Sequence, residues 1–214
     1  MFKRYTCSKT TPFKSGAISQ KEVYTLRWIE RWMIGKDAFA PRRSLPYQLG
    51  TVLPDWFERQ PIHRWQETRE LFLDRAQKIS AMPPGIRRDW YLGTLAHYLC
   101  DYCCMAHNEE YYRYYRHRVF EVQSQKYFLR VRKNRKNDIY QLEKSNLPAP
   151  YETSGDIRED VSRLIESYTG KLHERIGVLG SECWFRDHRI MALDIRYAYG
   201  LVAAVNELLT RKKV

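Results

Sequence analysis

Apolar residues in this chain recur every three or four positions, and no stretch alternates apolar with polar. That spacing builds helices with one buried stripe and leaves no half-buried strand pattern to pair into a sheet. In 20–35, Val23, Leu26, Ile29, Trp32 and Met33 share a face, with Ser19 placed as an N-cap and Gly35 as a stop. The pattern returns in 64–80, closed by Met82-Pro83-Pro84-Gly85, and in 86–104, where Trp90, Leu92, Leu95 and Leu99 are expected to face inward. Further helices are predicted over 109–129, through Tyr112, Tyr115, Val119 and Val122, and over 157–176 and 191–209. The expected fold class is all-α, a helical bundle.

The segments between these helices carry turn chemistry. Proline, arginine and glycine in 37–53 predict a loop leading into Leu53-Pro54-Asp55, which sets Asp55 at a loop end or helix start. Pro148, Pro150 and Gly155 mark 145–156 as an exposed linker loop, and 177–187 is expected to connect the last two helices. At 214 residues without an internal repeat, the chain is expected to form a single domain over 1–214. Hydrophobic residues at 43%, with 16 tyrosines and 6 tryptophans, supply a packed core and argue against disorder.

Lysine and arginine outnumber aspartate and glutamate by 37 to 25, a formal charge of +12. Such a surface attracts phosphate esters, anionic lipid head groups or nucleic acid, unless the excess only solubilises. The chain turns basic from Lys126, and the run Arg130 to Lys136 is read as a solvated helix end that also suits an anionic membrane or nucleic acid. No run approaches the ~18 apolar residues of a membrane-spanning helix, so any membrane contact is expected to be peripheral. Residues 1–14 hold no signal-peptide core, and the five cysteines are odd in number with Cys100, Cys103 and Cys104 grouped. Both features point to a reducing, cytoplasmic location.

Chemistry concentrates between positions 55 and 121. His97 and Asp101 stand four apart on a predicted helix, as do His117 and Glu121, which puts an imidazole and a carboxylate on one face within reach of one metal ion. Asp55, His63 and His107 are further ligand candidates, whereas His173 and His188 pair with no carboxylate at that spacing and are read as ordinary polar residues. Cys100 and Cys103 form a C-x-x-C, readable as a redox pair or half a zinc site, or more simply as small core residues. Tyr111, Tyr112, Tyr114 and Tyr115, with Arg113 and Arg116, suit either the wall of a metal cleft or a surface that stacks bases or meets lipid.

The ordered motifs Leu53-Pro54-Asp55, His63, Gly93-Thr94-Leu95-Ala96-His97-Tyr98-Leu99-Cys100-Asp101, Met105-Ala106-His107 and His117-x-x-x-Glu121 resemble those of the zinc-dependent phospholipase C family, which shares its fold with single-strand nucleases of the nuclease P1 type. The resemblance covers roughly 16–125. It implies that Asp55, His63, His97 and Asp101 hold one zinc and that His107, His117 and Glu121 hold a second. The implied activity is phosphodiester hydrolysis by metal-activated water, with Asp55 also placed to act as general base. The implied substrate is a phospholipid or related phosphate ester.

The family's third zinc uses an N-terminal tryptophan, a first-helix histidine and the aspartate matching Asp101. This sequence starts at Met1 and has no histidine in 20–35; Thr25 lies near the expected position, and Glu22 and Glu30 are the nearby carboxylates. Three readings follow: a phospholipase C-like hydrolase, a weak or inactive metal-stabilised module on anionic membrane or nucleic acid, and a single-strand nuclease-like enzyme.

Overall fold

Every regular element among the described residues is helical. The structure is a computed structural model that describes residues 44–54, 64–107, 114–134, 154–179 and 184–211. In chain order the helices are α1 (Leu45–Gly50), α2 (Trp65–Ser80), α3 (Ile86–Cys103), α4 (Tyr114–Asn134), α5 (Ile157–Leu179) and α6 (His188–Thr210), with 3-10 turns at Met105–His107 and Trp184–Arg186. No helix among these residues is long and apolar enough to cross a membrane.

The bundle is organised around α3. Every residue from Leu92 to Cys103 is buried, so this helix has no solvent face over its last three turns. A helix hidden on all sides needs neighbours on all sides; α1, α2, α5 and α6 each pack against it. On the α2 side the seam is aromatic: the rings of Trp65 and Phe72 both lie 5.5 Å from that of Tyr102, at steep angles. A buried hydrogen bond of 2.8 Å between Thr68 Oγ1 and Tyr102 Oη satisfies the polar end of that cluster.

On the opposite side, α6 supplies the apolar stripe Ile195, Ala198, Leu201, Val202, Val205 and Leu209. Its start is capped by Asp187, whose carboxylate accepts from the Arg189 backbone N–H at 2.9 Å. Its end is met by the buried Arg88, whose guanidinium donates to the Leu209 carbonyl, a cation placed at the negative pole of a helix.

The helix α1 corrects the expectation of a loop over 37–53. Pro46 stands in the first turn, where its missing N–H costs nothing, and Ser44 Oγ accepts from the Tyr47 N–H at 3.3 Å. A proline and a serine that look like loop residues are here a helix start. The helix lies against α3 at two glycines. A Cβ on Gly93 would meet the Tyr47 carbonyl oxygen at 2.1 Å, and one on Gly50 would meet the Trp90 carbonyl oxygen at 2.4 Å. Backbone therefore touches backbone, and Asn206 of α6 clamps the arrangement by donating to Tyr47 Oη at 2.9 Å.

Other boundaries shift modestly. The helix expected over 109–129 runs from Tyr114 to Asn134, and the one expected over 157–176 continues to Leu179, so Gly177 lies inside a helix rather than in the connector. One interior glycine costs a helix only about 1 kcal/mol, which neighbouring turns offset. Trp90 is half-buried, while Leu92, Leu95 and Leu99 are fully inward. The predicted helix 20–35 lies outside the described residues, as does 145–153 of the predicted linker; its last residues, 154–156, are exposed.

Gly93→Ala should lower unfolding stability by about 1–3 kcal/mol, because the new methyl meets backbone that cannot rotate away. Urea denaturation checks this, and Gly85→Ala, where a Cβ meets nothing within 4 Å, is the matched control.

Candidate metal centre

The last turns of α3, the turn Met105–His107 and the first turns of α4 bring five titratable side chains into one buried cluster. His97 is fully buried, and Asp101, His107, His117 and Glu121 are each at most 9% exposed. The i,i+4 spacing on α3 sets His97 Nε2 3.7 Å from Asp101 Oδ2. The same oxygen lies 3.8 Å from His107 Nδ1. On its other edge His107 presents Nε2 to Glu121 Oε1 at 3.4 Å, and His117 Nε2 approaches that oxygen at 3.0 Å. Imidazole and carboxylate thus alternate along the cluster from His97 to His117.

The orientation of His97 comes from the α1–α3 contact. Its Nδ1 lies 3.1 Å from the Thr51 carbonyl oxygen, at the end of α1. A carbonyl only accepts, so Nδ1 carries the proton and Nε2 is left with its lone pair facing Asp101. This is the arrangement by which an outer hydrogen bond fixes the tautomer and aim of a metal-binding histidine.

His107 sits on a three-residue turn, which by itself would hold a ligand loosely. Two longer-range bonds fix it. Asp194 of α6 accepts from the Met105 backbone N–H at 2.8 Å, pinning the start of the turn. Arg64, just before α2, donates from Nε to the His107 carbonyl at 3.0 Å, pinning its end. Neither residue was singled out from the sequence. Asp194 had a signal, since it is the one carboxylate in the largely apolar run Met191 to Val205; Arg64 had none beyond its charge.

These residues fit a metal ion. His107, His117 and Glu121 each offer a ligand atom, and the three atoms lie within 4.8 Å of one another. Ligands 2.0–2.1 Å from a tetrahedral zinc stand about 3.3 Å apart, close to the 3.0 and 3.4 Å seen around Glu121 Oε1. Two nitrogens and an oxygen are zinc donors. Burying the carboxylates of Asp101 and Glu121 is costly without compensating charge, which a divalent cation supplies. The polar stripe continues on α4 to Gln125, which is fully buried with neither amide atom hydrogen-bonded among the described residues.

Of the seven residues expected to bind metal, the structure places these five together; Asp55 and His63 lie outside the described residues, as do the four tyrosines' side chains. Cys100 and Cys103 are buried free thiols, and burial pushes the Cys103 thiol well above its ordinary value, which suits core packing rather than redox exchange. His188 is exposed at the start of α6 and stacks on Tyr127.

Comparison with known proteins adds one match. A family model described as zinc dependent phospholipase C covers residues 40–174, more than half of the 214. No curated protein and no solved structure matches the chain.

Asp194→Ala should weaken zinc binding by about 10–100-fold while leaving the helical content intact, since the turn bearing His107 loses its anchor. Competition with a chromophoric chelator reads the affinity, and circular dichroism reads the fold.

Proposed function

The chain belongs to the zinc-dependent phospholipase C family, and from that premise we propose that it is a zinc-dependent phosphodiester hydrolase acting on phospholipid head groups or a related phosphate ester. The observation that carries this reading is the convergence of His107 Nε2, His117 Nε2 and Glu121 Oε1 in a buried site. Three protein donors on a zinc leave a coordination position open, the pattern of a catalytic rather than a structural site.

In this reading His107, His117 and Glu121 hold one zinc, and His97 and Asp101 contribute to a second together with Asp55 and His63. Bound zinc supplies Lewis acidity toward the phosphoryl oxygens and a water of pKa about 7. The protein's own residues do the rest. Thr51 holds His97 in its orientation, and Asp194 and Arg64 fix the turn that carries His107. Asp55 is the general base that accepts the proton of the attacking water. The net charge of +12 draws an anionic ester toward the protein.

Hydrolysis of a chromogenic phosphodiester by the zinc-loaded protein tests the reading. Turnover is expected to vanish with a chelator, return with zinc, and fall by more than about a hundredfold in Glu121→Gln, beyond the usual effect of losing an outer partner. Turnover that persists in the chelator, or zinc-loaded protein inert on every phosphodiester tried, would contradict it.

A further inference from the structure

The hairpin joining α2 to α3 exposes what most of the bundle hides. Ile86 is 77% exposed, the most open of the large apolar side chains among the described residues, and Ala81, Pro83 and Pro84 beside it are also exposed. Immediately behind this tip is a cavity of about 530 Å³. Its floor is apolar, formed by Ile79, Met82 and Trp90, and its rim carries Arg75, Lys78 and Arg87.

Several cations of the bundle are matched to carboxylates. Arg158 pairs with both Glu70 and Asp74, Arg163 with Glu159, and Arg211 with Glu207. Lys78 and Arg87 form no ion pair among the described residues, and Arg87 instead lies over the Tyr91 ring at 5.8 Å. Lys78 and Arg87 therefore carry charge with no carboxylate partner among the described residues, beside an apolar hollow, an apolar projection and two half-buried aromatic rings, Trp90 and Tyr91. Aromatic rings with a polar edge, exposed aliphatic tips and unpaired cations are together what an anionic lipid interface accommodates. Nucleic acid would use the charge and the rings but has nothing to offer Ile86 and the two prolines.

We propose that the α2–α3 tip is a docking surface for anionic phospholipid membranes, with Ile86, Pro83 and Pro84 entering the head-group layer and Lys78 and Arg87 gripping an acidic lipid's phosphate. The proposal rests on the phospholipid reading above and deepens it, because docking and chemistry share one face of α3. Trp90, Thr94, His97 and Asp101 follow one another at steps of four, three and four along that helix. Thr94 lines the cavity and Asp101 lies seven residues on, about 10 Å along the axis. Ile86 stands fifteen residues before Asp101, about 22 Å along the axis, so a membrane held at the tip meets the end of α3 opposite the metal centre.

The test is sedimentation of the zinc-loaded protein with vesicles of phosphatidylcholine alone and of phosphatidylcholine mixed with phosphatidylglycerol. Partitioning onto the mixed vesicles is expected to be much the stronger. It should fall about fivefold in each of Lys78→Gln and Arg87→Gln, and at least about tenfold in Ile86→Ser. All three positions are exposed, and a thermal melt confirms that each variant folds. Equal partitioning of wild type and variants, or vesicle binding indifferent to phosphatidylglycerol, overturns the proposal. So does tighter binding to a single-stranded oligonucleotide that the same substitutions weaken. Turnover of a soluble phosphodiester is measured on the same sample. Intact vesicle binding without turnover contradicts the hydrolase reading and leaves the docking surface standing; turnover without vesicle binding overturns the docking surface alone.

Discussion

The crossing of α1 and α3 at Gly50 and Gly93 is the contact on which the metal centre depends. Only glycine at both positions lets the two backbones meet, and that approach delivers the Thr51 carbonyl to His97 Nδ1. Once the proton of His97 is fixed there, its Nε2 faces Asp101, Asp101 faces His107, and His107 faces the Glu121 oxygen that His117 also approaches. A helix of six residues could not hold such a position by propensity alone. It is held by burial of Tyr47 and by the Asn206 hydrogen bond from the far side of the bundle.

Much of this was legible in the sequence, and the reasons for the gaps are physical. The all-α class and the helices α2, α3, α5 and α6 follow from three- and four-residue periodicity, because each buries one stripe or, in α3, every side. The i,i+4 pairs His97–Asp101 and His117–Glu121 were visible for the same reason, since helical geometry alone brings their members together. The short helix α1 was not visible: Pro46 and Ser44 serve equally well in a loop, and six residues give periodicity too little room. Asp194 and Arg64 were missed because each acts on backbone atoms far away in sequence, a partnership that only the packed structure defines.

The most buried helix also joins two kinds of surface. At its C-terminal end, α3 sets imidazoles and carboxylates in a closed, water-poor cluster where electrostatic interactions are strong. At its N-terminal end it emerges between exposed aliphatic residues and the exposed cations Lys78 and Arg87. Lys78 and Arg87 at the α2–α3 tip have no carboxylate partner among the described residues, whereas Arg158, Arg163 and Arg211 do. The residues that hold the centre range along the chain from Thr51 to Asp194, although the family match ends at residue 174. The last helix is thus part of the site's support even though it lies beyond that match.

The central claim is that His107, His117 and Glu121 form a zinc site. Metal analysis by mass spectrometry of the purified protein and of His117→Ala tests it most directly. The account predicts at least one zinc per chain in the wild type and a clear loss in the variant, together with a lower melting temperature, because removing a ligand leaves buried polar partners uncompensated. Wild-type protein with no stoichiometric metal after zinc loading, or a variant with undiminished zinc content, would contradict it.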